Sequence, residues 1–117
     1  MPDYTKEIND ISRYWKLINA QYAHDVPGHK AGETRTDGRY PSRIGSTYTC
    51  LSFLGADHTV IMPYIKNNAG APKSGYVTTS NLVSVEKPQT TEDGKTILRF
   101  TTLNTVYTLE SVKEFYE

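Results

Sequence analysis

Residues 4–22, YTKEINDISRYWKLINAQY, decide how the rest of the chain is read. Ile8, Ile11, Trp15 (with Tyr14), Ile18 and Tyr22 recur at spacings of three and four, while Lys6, Glu7, Asp10, Arg13 and Lys16 fall largely off that stripe. A stripe of this period is the mark of an amphipathic helix with one face turned to a core. The spacing predicts a helix over 4–24, with Asp3 placed to cap it. Pro27-Gly28 ends it, because proline biases its predecessor away from helical geometry and has no N–H to donate. On one helix Tyr14 and Trp15 cannot point the same way, so one of them is expected to reach past the core towards a second chain.

Beyond this segment, 25–43 carries three Gly and two Pro with no periodicity and reads as a long loop, a kind usually functional or disordered in a small domain. The stretches 44–54 (IGSTYTCLSFL) and 58–65 (HTVIMPYI) read as a hairpin, with Pro63 placing the second strand at an edge or a bulge. After a polar loop, 76–86 alternates with a register change near Leu82-Val83. Asp93-Gly94 marks a turn before 96–103, and 105–110 forms a last strand. Ser111 and Glu114 have the spacing of a capping box and predict a short helical turn over 111–117. The expected fold is α+β: an N-terminal amphipathic helix packed on a small antiparallel sheet of about five strands (44–110) or an open barrel, ending in a short helical turn, all in one domain over 1–117.

At 117 residues and 13.2 kDa there is room for one ordinary core. Thirteen Lys and Arg balance thirteen Asp and Glu, which argues against a duplex-DNA footprint and against an acidic nucleic-acid mimic. Hydrophobic residues are 37% with nine Tyr among them, so Tyr or a partner must supplement a thin core. Fifteen Thr, most of them in the strand region, suggest a sheet face that closes by self-association, hence a homo-oligomer. The charged N-terminus lacks the apolar run of a secretory signal or a membrane span, and a cytoplasmic protein with no membrane partner is expected. A lone cysteine, Cys50, reads as a small buried strand residue.

Residues 38–82 carry Arg39, Arg43, Lys66 and Lys73 against Asp57 alone. Arg39 and Arg43 flank Tyr40, and Lys66, Asn67 and Lys73 sit in a glycine-bearing loop. Guanidinium groups fork phosphate oxygens, backbone N–H groups near glycine approach them closely, and Tyr stacks on bases. These six residues are therefore the expected site for an anionic, nucleotide-like ligand, with a solvated surface as the plain alternative. The stretch 70–75 lacks the spacing of a Walker loop, which excludes that ATPase chemistry. His24, His29 and His58 have no companion at metal-ligand spacing, and no nucleophile elbow or carboxylate pair accompanies them. No metal, no cofactor and no catalytic residue is expected.

From Thr79 to Glu110, the residues Thr79, Ser80, Val83, Thr102, Asn104, Thr105, Tyr107 and Leu109 form a strand-turn-strand pattern that recurs in small phage-encoded proteins. The chain resembles the Thoeris anti-defence type, small oligomers that sequester cyclic nucleotide immune signals. The resemblance covers about a quarter of the chain. It implies a non-enzymatic antagonist of host immunity that binds a cyclic nucleotide or similar anion in the host cytoplasm. Docking on a host defence protein, in the manner of anti-CRISPR proteins, is the alternative, and a small nucleotide-processing enzyme is a third class.

Overall fold

Trp15 and Leu17 point into the molecule while Lys16 and Ile18 point out, and that alternation makes their segment a strand. The computed structural model describes residues 4–54 and 57–112. Of the expected 4–24 helix only α1 (Thr5–Ile11) forms; Ser12 is extended, and the chain continues as β1 (Tyr14–Tyr22). Asp3 lies outside the described residues. Two members of the stripe, Trp15 and Tyr22, are both buried although an odd number of residues apart because β1 shifts register against its neighbour between Leu17 and Asn19, so the buried residues run Trp15, Leu17, Ala20, Tyr22. One inserted residue turns a spacing of two into three and imitates a helix. Ile11 and Ile18, two members of the supposed stripe, are 40% and 38% exposed.

The sheet that β1 joins comprises β2 (Thr47–Thr49), β3 (Ser52–Phe53), β4 (Thr59–Lys66), β5 (Tyr76–Val85), β6 (Gln89–Thr90), β7 (Thr96–Thr102) and β8 (Thr105–Val112). Its order is β2-β1-β8-β7-β5-β4-β3, all neighbours antiparallel, and β2 also pairs with β4. That last pairing closes a ring of six strands, β1-β2-β4-β5-β7-β8, into a small barrel. The expected helix on a five-stranded sheet is thus corrected to a mostly β fold: among the described residues, an eight-stranded antiparallel sheet with two short helices. α1 sits over one end: Tyr4 N–H donates to the Phe53 carbonyl (3.1 Å), Asn9 Nδ2 to that of Leu51 (2.8 Å), and Ile8 plugs into the core.

Segment 47–53 is nearly one strand, broken at Cys50, whose φ of +52° kinks the chain. β2 pairs with Tyr64 and Lys66 and β3 with Val60 and Ile61, so Pro63 lies opposite the break, where no ladder needs the N–H it lacks. Cys50 is exposed, not the buried residue expected. At the C-terminus Ser111 and Val112 belong to β8, and the Ser111 hydroxyl accepts the Thr96 N–H (2.8 Å) instead of capping a helix. Residues 113–117 of the expected turn lie outside the described residues.

Tyr supplies much of the core: Tyr22, Tyr48 and Tyr107 are buried, and Tyr4, Tyr40 and Tyr64 pack against it. Phe100 stacks on Tyr107 (5.0 Å) and meets Phe53 edge-on (5.0 Å). The inner face of the sheet is therefore covered by the barrel's own side chains, which removes the thin-core reason for expecting a second copy.

Candidate functional site

The loops 23–46 and 66–75 and the turn at 103–104 leave the barrel at the end opposite α1, and together they build a mouth around the inward-facing Tyr107. The first loop is ordered by its own polar groups. The Asp25 carboxylate accepts the Ala31 N–H (2.8 Å), the Glu33 carboxylate accepts the Lys30 N–H (2.7 Å), and residues 40–43 turn into the short helix α2 (Tyr40–Arg43). Isolated bridges tie Thr34 to Gln21 and Val26 to His29.

Arg35 fastens this loop to the barrel. Its guanidinium forks Asp37 (Nε to Oδ1 3.1 Å, Nη2 to Oδ2 2.7 Å), and Nη1 donates to the Asn104 carbonyl (3.2 Å) and the Thr105 hydroxyl (3.0 Å). The same group lies 4.5 Å from the ring centres of both Tyr22 and Tyr40. His29 stacks on Tyr22 at 4.7 Å and 16°, and Arg43 lies 5.5 Å from the Tyr40 ring. The result is a column, His29, Tyr22, Arg35, Tyr40, Arg43: two stacked rings, then a cation, a ring and a second cation. The phenol of Tyr40 shares a hydrogen bond with the buried Thr105 hydroxyl (2.8 Å), and that of Tyr22 donates to Asp37 (3.3 Å).

Along this column opens a pocket of about 480 Å³, lined by Tyr40, Arg43, Tyr107 and His24 together with Thr78, Ser80 and Asn104. Its size falls in the range of small-molecule sites. The charges are partly neutralised. The hydrogen bond from Arg35 holds the Asp37 carboxyl far below its ordinary value, at about 2, and the Lys30 N–H, followed by His29, lowers Glu33. Arg43, by contrast, meets no carboxylate among the described residues.

Asp37 stabilises the fold down to strongly acidic pH. A carboxyl whose folded pKa is about 2 against an ordinary 3.8 contributes stability that is complete above the ordinary value and is lost as pH falls through about 2. The tyrosine near-UV circular dichroism of the column should hold steady from pH 5 down to about pH 4 and should fall only below about pH 3. A midpoint near 4 shows that the fork is not formed.

Of the six expected site residues the structure brings two, Tyr40 and Arg43, to the pocket. Arg39 stands exposed at the start of α2. Lys66, the last residue of β4, and Asn67 and Lys73 on the adjacent β4–β5 loop do not line the pocket. The Asn67 carboxamide is spent on the Ala69 and Ala71 N–H groups (2.9 and 3.0 Å), and Lys73 Nζ rests 4.8 Å above Tyr64. That loop touches α2 through Asn68, whose Nδ2 donates to the Pro41 carbonyl (3.3 Å). Gly45, at a φ of +95°, makes the approach possible: a side chain there would meet the Asn68 Cβ at 3.2 Å.

Arg35, Asp37 and Tyr22 were missed because each needs the barrel to be placed. The spacing Arg35-Thr36-Asp37 before a glycine was the available signal for the fork. Thr79, Ser80, Asn104 and Tyr107, read in the sequence as strand and turn grammar, all line the pocket. The three histidines form no metal cluster, and among the described residues no group of three or more His, Cys, Asp or Glu side chains could hold a metal ion. No described helix is long and apolar enough to cross a membrane. Compared with protein-family models, with curated proteins and with solved structures, the chain matches none.

Proposed function

We propose that the chain is a cytoplasmic, non-enzymatic binding protein that captures a small anionic, nucleotide-like molecule in the barrel mouth, as the phage anti-defence proteins it resembles do with immune signals. The observation that carries this reading is Arg43. It is held against Tyr40 at the wall of a 480 Å³ pocket, and its guanidinium has no carboxylate partner among the described residues. A cation fixed in place by stacking binds an anion without first giving up an ion pair. Binding rather than turnover is favoured because the carboxylates beside the pocket, Asp37 and Glu33, are held ionised as anchors, not poised near neutrality as proton donors.

Calorimetry and melting shifts with cyclic dinucleotides, cyclic trinucleotides and cyclised ADP-ribose species test the reading. One charge-assisted contact is worth about 1.5–3 kcal/mol, so Arg43→Ala is expected to weaken binding roughly tenfold or more with little change in melting temperature. No heat and no shift with any member would retire the ligand reading in favour of docking on a host defence protein. The observation favouring that second reading is Tyr76, 67% exposed on the outer face of the barrel beside Pro63.

A further inference from the structure

β5 runs on past the strand that flanks it. β7 pairs with it only over 82–85 and then turns at 103–104, so residues 76–79 have β4 on one side and no described strand on the other. The ladder fixes which backbone groups this leaves open. The Tyr64 N–H donates to the Gly75 carbonyl (2.9 Å), and in the register of β4 with β5 the next bonded pair is Met62 with Val77. Pro63 with Tyr76 and Ile61 with Thr78 are then the non-bonded pairs, and the N–H and C=O groups of Tyr76 and Thr78 point away from β4. Among the described residues none of these groups has a hydrogen-bond partner.

This open edge borders the pocket. Thr78, exposed, and Thr79, buried, face opposite sides of the sheet, so a pocket lined by both runs along the edge of β5 and not against one of its faces. Edge strands are commonly guarded by a charge or a proline, whereas 76–79 reads YVTT. The surroundings are cationic. Residues 66–85 hold two lysines and no carboxylate, and Arg43 lines the same pocket with no carboxylate partner among the described residues. Asp37, which also lines it, is spent on Arg35. We propose that the open edge of β5 takes an extended acidic segment of a partner protein, added as a strand in the place that β7 leaves. The segment's backbone pairs with Tyr76 and Thr78, and a carboxylate on it meets Arg43. The inference goes beyond the capture of a small anion and does not depend on it.

Amide exchange of the free full chain is the first test. The Tyr76 and Thr78 amides should exchange roughly tenfold or more faster than that of Val77, which β4 holds, and equal protection would show that the edge is covered. Random linear dodecapeptides are then selected for binding to the full chain, and the selected peptides are synthesised and titrated by calorimetry. They should be enriched in Asp and Glu, slow the Tyr76 and Thr78 amides roughly tenfold, and bind the Thr78→Pro variant roughly tenfold more weakly. Proline at this position removes an N–H that the β4 ladder does not use, so the variant should melt within a few degrees of wild type. If it unfolds instead, amide exchange of the wild type with and without peptide decides alone. Three results overturn the inference: no acidic peptide is selected, the bound peptides leave both amides fast, or sedimentation shows a dimer that Thr78→Pro dissolves, which gives the edge to a second copy.

Discussion

Leu17→Ala is expected to destabilise the protein by about 2–5 kcal/mol, and Ile18→Ala by less than about 1 kcal/mol, although the two residues are neighbours of similar size. Leu17 is fully buried on β1 between Trp15 and Ala20, whereas Ile18, on the outward side of the bulge, is 38% exposed. A helix over 4–24 makes the opposite assignment, because it puts Ile18 on the apolar stripe and Leu17 beside it. Chemical denaturation of the two variants therefore tests the β1 assignment directly. Equal losses, or a larger loss at Ile18, would show that the segment does not run as a bulged strand.

Removing Arg35 should do the most damage at the barrel mouth. Its half-buried guanidinium lies against two rings and forks one carboxylate of its own loop, and it ties the 23–46 loop to the barrel at three points, the Tyr22 ring, the Asn104 carbonyl and the Thr105 hydroxyl. Charge-assisted hydrogen bonds together with cation–π contacts put the expected cost of Arg35→Ala at about 3 kcal/mol. For a domain near this size that lowers the melting temperature by roughly 10–15 °C. Amide exchange in 24–38 should accelerate, and ligand capture should vanish, because Tyr40 loses its position. Arg35→Lys keeps the charge but not the planar fork, and it should recover less than half of the loss. A melting temperature within a few degrees of wild type for Arg35→Ala would mean that the column is not what holds the loop.

Much of the strand ladder was legible in the sequence. The Asp93-Gly94 turn, the Pro63 anomaly and the register shift after Leu82 each follow from backbone chemistry that a few neighbouring residues determine. The β1 segment was not legible, because a bulge is a property of two strands and its partner, β8, lies some ninety residues away. The candidate site divides in the same way. Arg43 and Tyr40 were legible as a cation beside an aromatic ring in a Gly/Pro-rich loop. Lys66, Asn67 and Lys73 share that composition, yet the barrel turns them onto the neighbouring loop, where Asn67 closes its own turn. Composition shows that cations lie on loops, and only the strand order shows which loops share a pocket.

The closing seam of the barrel also sets a timetable. Pairing β1 with β8 joins Tyr14 to Val112, whereas β4 with β5, or β7 with β8, pairs within short hairpins. Loop-closure entropy delays the long-range pairing until the local hairpins exist, which places the fold among slower, non-local topologies. On the ribosome, β1 emerges some ninety residues before its β8 partner. Until then Trp15 and Leu17 have no closed barrel to enter, and the nascent chain carries an exposed apolar strand while those residues are made.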